Sequence, residues 1–158
     1  MADIKFLKKC VHGYHDVTIG APNSSLVSSY LGQSKRAILA MDTLAGVKAD
    51  EWVVETSYYA EYFCVLALLA KIGVRSKNHA CAAEFFDHLF GRSNPALVSQ
   101  LRGSRGSRVD AVYDAIMTGV DPKALASQAK TFVAEVEKII NGLNSTQVAG
   151  LRRQLAGL

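Results

Sequence analysis

The sequence predicts an all-α protein, an up-and-down helical bundle of about five main helices with short terminal helices. Three observations carry this expectation. Apolar residues recur at helical spacings of three, four and seven, no stretch alternates as a half-buried strand would, and each of the 3 prolines stands beside a residue that caps helices. Of 158 residues, 49% are hydrophobic and 20% charged, a globular balance in a chain long enough to bury a core without disulfide or metal staples. With no repeat or linker in view, residues 25–158 read as one helical-bundle domain behind a partly irregular N-terminal segment, 1–24.

The elements follow in order. From Ser25 to about Val47, Leu26, Tyr30, Ala37 and Leu44 interleave with Leu31, Ile38, Met41 and Ala45 on an amphipathic helix, capped by Asn23 or Ser24 behind Pro22. Gly46 breaks the pattern and Asp50 is the expected cap of a second helix, Glu51 to about Ile72. That helix is apolar almost all round, so it belongs at the centre of the bundle, and Gly73 ends it. Ser76 is the expected cap of a third helix through Ala80, Ala83, Phe86 and Phe90 to Gly91. Residues Gly91 to Arg108, rich in Gly, Ser and Arg, read as a connection with at most a short helix after Pro95. A fourth main helix is expected over Val109 to Met117, a fifth over Pro122 to Ile140 behind Asp121, and a last amphipathic piece over Thr146 to Leu155.

Composition narrows the compartment. The N-terminus carries lysines among its only apolar residues, unlike a signal peptide, and the apolar run Tyr58 to Val74 contains Glu61 and Lys71, which are costly in lipid. A cytoplasmic protein without a membrane partner is the expectation. The odd set Cys10, Cys64 and Cys81 reads as reduced and structural, and Cys10, His12 and His15 supply too few ligands for structural zinc. Cys81 and His88 read as core and rim, and Asp110 with Asp114 as an ordinary surface pair. No metal or cofactor is expected, and phosphate-loop, dinucleotide and nucleophile-elbow signatures are missing.

Two groups of residues can carry chemistry. Glu55, Tyr58, Tyr59 and Tyr62 fall at zero, three, four and seven on the second helix, a carboxylate and three phenols on one stripe that can seal a helix interface. Between Gly91 and Val109 stand Arg92, Arg102, Arg105 and Arg108 with no acidic residue, a local charge equal to the formal +4 of the whole chain. Arg102, Arg105 and Arg108 recur every third residue, as a phosphate-binding edge would, though aromatic residues for base stacking do not interleave with them. Arg75 and His79 form a second Arg/His pair near a helix start, where exposed amides favour anions.

Ser57-Tyr58-Tyr59-Ala60 in a central apolar helix, followed by Gly73 and Ser76-Lys77-Asn78-His79, resembles the small stand-alone prokaryotic branch of the HEPN-domain superfamily, over about Ser25 to Asp114. The resemblance implies a helical bundle that commonly dimerises, in a superfamily that includes metal-independent ribonucleases and partners of small nucleotidyltransferases. Its ribonuclease motif is an Arg and a His four to six residues apart. Arg108-Val-Asp-Ala-Val-Tyr113 is similar to that segment, with Tyr113 standing where the His would be. A phenol of ordinary pKa about 10 is a poor base near neutrality, whereas Arg108 can still hold a phosphate. The resemblance therefore implies nucleotide or RNA-phosphate binding by a homodimer without efficient cleavage, with Tyr113 an acceptor for adenylation by a nucleotidyltransferase. Two other readings stay open: an endoribonuclease with His79 as base, and a structural dimeric interaction module.

Overall fold

The computed structural model describes residues 2–113 and 121–158, and the side chains of all of these except Val112 and Tyr113. The chain is an all-α helical bundle. Its centre is a long helix, Asp50–Ile72 (α3), with 15 of its residues buried, Val65, Leu68, Leu69 and Ile72 among them. By length and composition α3 could cross a membrane, but 78% of its most apolar stretch lies inside the fold. Around it pack Ser24–Gly46 (α2), His79–Phe90 (α4), Pro95–Tyr113 (α5), Pro122–Gly142 (α6) and Ser145–Leu155 (α7).

Side-chain ties fix the directions. Ser34 Oγ donates to Ala60 O and Ser57 Oγ to Met41 Sδ, so α2 runs antiparallel to α3. Cys64 faces Val133 O and Lys71 Nζ donates to Ile140 O, so α6 runs parallel to it. The caps are largely those the sequence announces. Asn23 accepts from Leu26 N, Asp121 from Lys123 N and Ala124 N ahead of Pro122, and Gly73 ends α3 at φ 92°. The structure moves two of them. Asn78, rather than Ser76, caps α4 by accepting from Ala80 N and Cys81 N, because Ser76 is taken into a strand, and α3 starts at Asp50 behind Ala49, which offers no side-chain cap.

Three expectations need larger corrections. The Gly91 to Arg108 connection is mostly helix, since α5 runs from Pro95 through Gly103 and Gly106; the rest of the expected helix over 109–117, and Asp114, lie outside the described residues. Val98, Leu101, Ser104 and Ala111 are buried along one side of α5, whereas a Cβ at Gly103 or Gly106 would meet nothing. Tertiary packing on that side outweighs the poor helix propensity of the other. Two three-residue strands also form, Val17–Ile19 (β1) and Val74–Ser76 (β2), antiparallel with Thr18 opposite Arg75. They are too short for alternation to register in the sequence.

The N-terminal segment carries three short ordered elements and forms an arm. Asp3 caps a short helix, Ile4–Lys8 (α1), which runs into one π-helical turn, Lys9–Gly13, before β1. Leu7, Cys10 and Val17 are buried in the core. Cys10 and Cys81 are not reduced but form a disulfide across 71 residues, and Cys64 is the free, buried thiol. That pairing is created by docking of the arm on α4 and is invisible in the spacing of the cysteines.

Candidate functional site

The two groups singled out in the sequence meet. On α3 the stripe Glu55, Tyr58, Tyr59 and Tyr62 faces α4 and α5. Asn78 starts α4 so that His79 is its first residue, and the imidazole stacks on the Tyr62 ring at 4.1 Å between centroids. Tyr58 Oη lies 2.6 Å from His79 Nδ1. The packing face of α5 brings Arg108 onto the same stripe. Its Nε–H points at both carboxylate oxygens of Glu55, each at 3.0 Å, and one Nη approaches Tyr59 Oη at 3.5 Å. The guanidinium carbon sits 5.3 Å from the Tyr59 ring centre and 5.6 Å from that of Tyr58, cation–π distances.

The protonation states follow from burial and charge. Burial, with Tyr62 adding to it, holds the Tyr58 phenol well above its ordinary range, and burial pushes Tyr62 up to about 12. His79 is held below the usual histidine value, first by burial and then by the Arg108 and Arg105 cations. At neutral pH, then, Tyr58 O–H donates to Nδ1 of a neutral His79, and the imidazole proton resides on Nε2. A base must first release that hydrogen bond. What the cluster offers without rearrangement is a cation, phenol hydroxyls and one imidazole N–H, a set suited to an oxyanion.

The other expected residues are distributed around it. Arg105 is exposed on α5 and its charge reaches Tyr58 and His79. Arg102 is engaged elsewhere, with Glu84 at 2.8 Å and Asp87 at 3.0 Å, and with Arg92 it lines a separate cleft of about 850 Å³. Arg75 stands exposed in β2, so it does not share a helix face with His79. The Tyr113 side chain lies outside the described residues. Cys10 is consumed by the disulfide, while His12 binds Leu158 O at 2.6 Å. Among the described residues no group of three or more His, Cys, Asp or Glu is placed to hold a metal.

One part of this seam escapes sequence reasoning. Glu61, one turn beyond Tyr58, is 1% exposed between α3 and α5; Gln100 Nε2 donates to its Oε1 at 2.7 Å and its Oε2 has no partner. Burial pushes its carboxyl up to about 7, opposed by hydrogen bonds from Gln100 and Ser104. Ser104 contributes to that balance while Oε2 stays bare, so its hydroxyl acts on the other oxygen or at longer range. The available signal was a carboxylate within the most apolar run of the chain. Family models, curated proteins and solved structures give no match to this chain.

Proposed function

We propose that the chain is a HEPN-like binding or regulatory protein that holds the phosphate of a nucleotide or RNA at the α3–α4–α5 seam, as a homodimer without efficient cleavage. A small nucleotidyltransferase and a cytoplasmic setting belong to the same proposal. The observation that carries it is the convergence of Arg108, the residue similar to the superfamily's motif arginine, with His79 and the tyrosine stripe. Arg105, exposed one turn earlier, gives an incoming phosphate its first cation, and Glu55 keeps the Arg108 guanidinium oriented. Binding is favoured over catalysis because the one nearby imidazole has its Nδ1 lone pair engaged by Tyr58.

Salt titration of labelled single-stranded RNA and of ATP, with the purified chain in EDTA, tests this. Binding should weaken with salt, and Arg105→Gln should lower the slope of log affinity against log salt by about one while leaving the fold intact. RNA that stays whole is expected. Unchanged affinity after joint neutralisation of Arg105 and Arg108 would leave a structural interaction module, and EDTA-resistant cleavage lost in His79→Ala would make the protein an endoribonuclease.

A further inference from the structure

The first turn of α4 is held from two sides. On one side His79 is hydrogen-bonded to Tyr58 and stacked on Tyr62. On the other, the N-terminal arm grips the same turn: Asn78 Nδ2 donates to Asp16 Oδ2 at 3.0 Å, Lys77 N donates to Asp16 O at 2.9 Å, and β1 pairs with β2. The last of the arm's ties is covalent. Cys81, two residues after His79 and itself under the Asn78 cap, is bonded to Cys10 in the π-helical turn.

We propose that the Cys10–Cys81 disulfide is a redox-operated fastening of the N-terminal arm, which sets how firmly His79 is held against Tyr58 and Tyr62. The arm's other anchors are non-covalent: Leu7 and Val17 in the core, the Asp16 hydrogen bonds, the β1–β2 pairing and the contact of His12 with Leu158 O, while most of its first twenty residues are exposed. The bond closes a loop that contains α2 and α3, so opening it returns considerable freedom to the arm. In a reducing cytoplasm, the setting proposed above, a disulfide that persists or opens with the dithiol pool is a regulated element rather than a permanent staple.

The exchange is balanced by a dithiol reductant. One of its thiolates attacks a sulfur of the pair and displaces the other cysteine as thiolate; its second thiol then resolves the mixed disulfide. The reductant leaves as a disulfide, and its two electrons and two protons end on Cys10 and Cys81. Both cysteines are fully buried, so attack follows local opening of the arm. Cys64 takes no part, because it faces Val133 O of α6 and burial, with Glu137 adding to it, pushes its thiol up to about 12.

The test compares the full chain oxidised, reduced with dithiothreitol, and as the Cys10→Ser/Cys81→Ser variant, with free thiols counted by labelling. The readout is the NMR titration of the His79 ring protons, whose surroundings also include Tyr59, Arg105 and Arg108. Reduction should raise the proton affinity of His79 several-fold toward that of an ordinary histidine, and the double variant should match the reduced protein and ignore dithiothreitol. If the variant does not fold, the wild-type comparison decides alone. An identical His79 titration with two additional thiols labelled would overturn the proposal, as would a bond that dithiothreitol opens only in denaturant. RNA binding on the same samples separates this from the proposed function, on which the reducing setting and the consequence for ligand affinity rest. A His79 shift with no RNA bound in either state sinks the phosphate site and leaves the fastening in place.

Discussion

Replacing Glu61 by Gln should change the pH dependence of stability, favouring the variant progressively as pH rises toward neutrality. The carboxyl is 1% exposed, one oxygen is unpartnered, and no charged group is among the causes that set its pKa, which rises from 4.5 to about 7 chiefly through burial. Between these values the unfolded chain has lost a proton that the folded one keeps, so stability falls as pH rises, by ~1.4 kcal/mol per pH unit, and levels off above about 7. The total for this group is about 3 kcal/mol. Gln has the same shape and cannot ionise, so Glu61→Gln should remove this slope. Relative to wild type it should gain about 2.5 kcal/mol more at pH 8 than at pH 5, whatever the constant cost of its own amide. Urea unfolding at both pH values measures the difference, and every other titrating group cancels in it. Parallel pH profiles for the two proteins would refute burial of an isolated carboxyl here.

Two further substitutions probe the site and its frame. Arg105→Gln should raise the His79 pKa slightly at no cost in stability, and Arg108→Gln should raise it more while destabilising the fold by about 3 kcal/mol, since Glu55 loses its partner; NMR titration and urea unfolding read the two effects. Because the native imidazole is the weaker base, that part of the stability is present above the ordinary histidine pKa and is lost as pH falls below it. Gly73→Ala should cost about 3 kcal/mol or more, because φ is 92° and the added Cβ would strike Gly20 O and the Ala21 carbonyl carbon; a Tm within 2 °C of wild type, against the ~6 °C or more expected, would show that the turn relaxes.

The legible parts of the fold were those that local chemistry decides. The helix read over 25 to 47 is Ser24–Gly46, and the one read from Pro122 to Ile140 is Pro122–Gly142, because cap, period and stop agree in each. Helix α5 was illegible because its Gly and Ser residues carry the loop signal, while the contacts that make it helical lie on α3. The tyrosine stripe and Arg108 were each visible, but their union depends on α5 running antiparallel to α3, with Arg108 at Glu55 and Gln100 at Glu61. No residue spacing encodes that direction. Pairing of Cys10 with Cys81 was hidden for the same reason, since it joins segments 71 residues apart.

The interface between α3 and α5 is not built for maximal stability. Gly103 and Gly106 each cost about 1 kcal/mol relative to Ala in a helix, and at both positions the space for a Cβ is open. Across the same interface run an ion pair with each side chain 13% exposed and a buried carboxyl with a bare oxygen, where apolar residues of like size would hold α5 as well or better. A helix with weak local propensity, docked through polar groups that burial penalises, is held to α3 by Val98, Leu101 and Ala111 together with Arg108 and Gln100. Packing alone would accept an apolar residue at position 108. What only Arg108 supplies is a positive charge, oriented by Glu55, against the Tyr58 and Tyr59 rings and close to a neutral imidazole, and that is the property an anionic ligand would use.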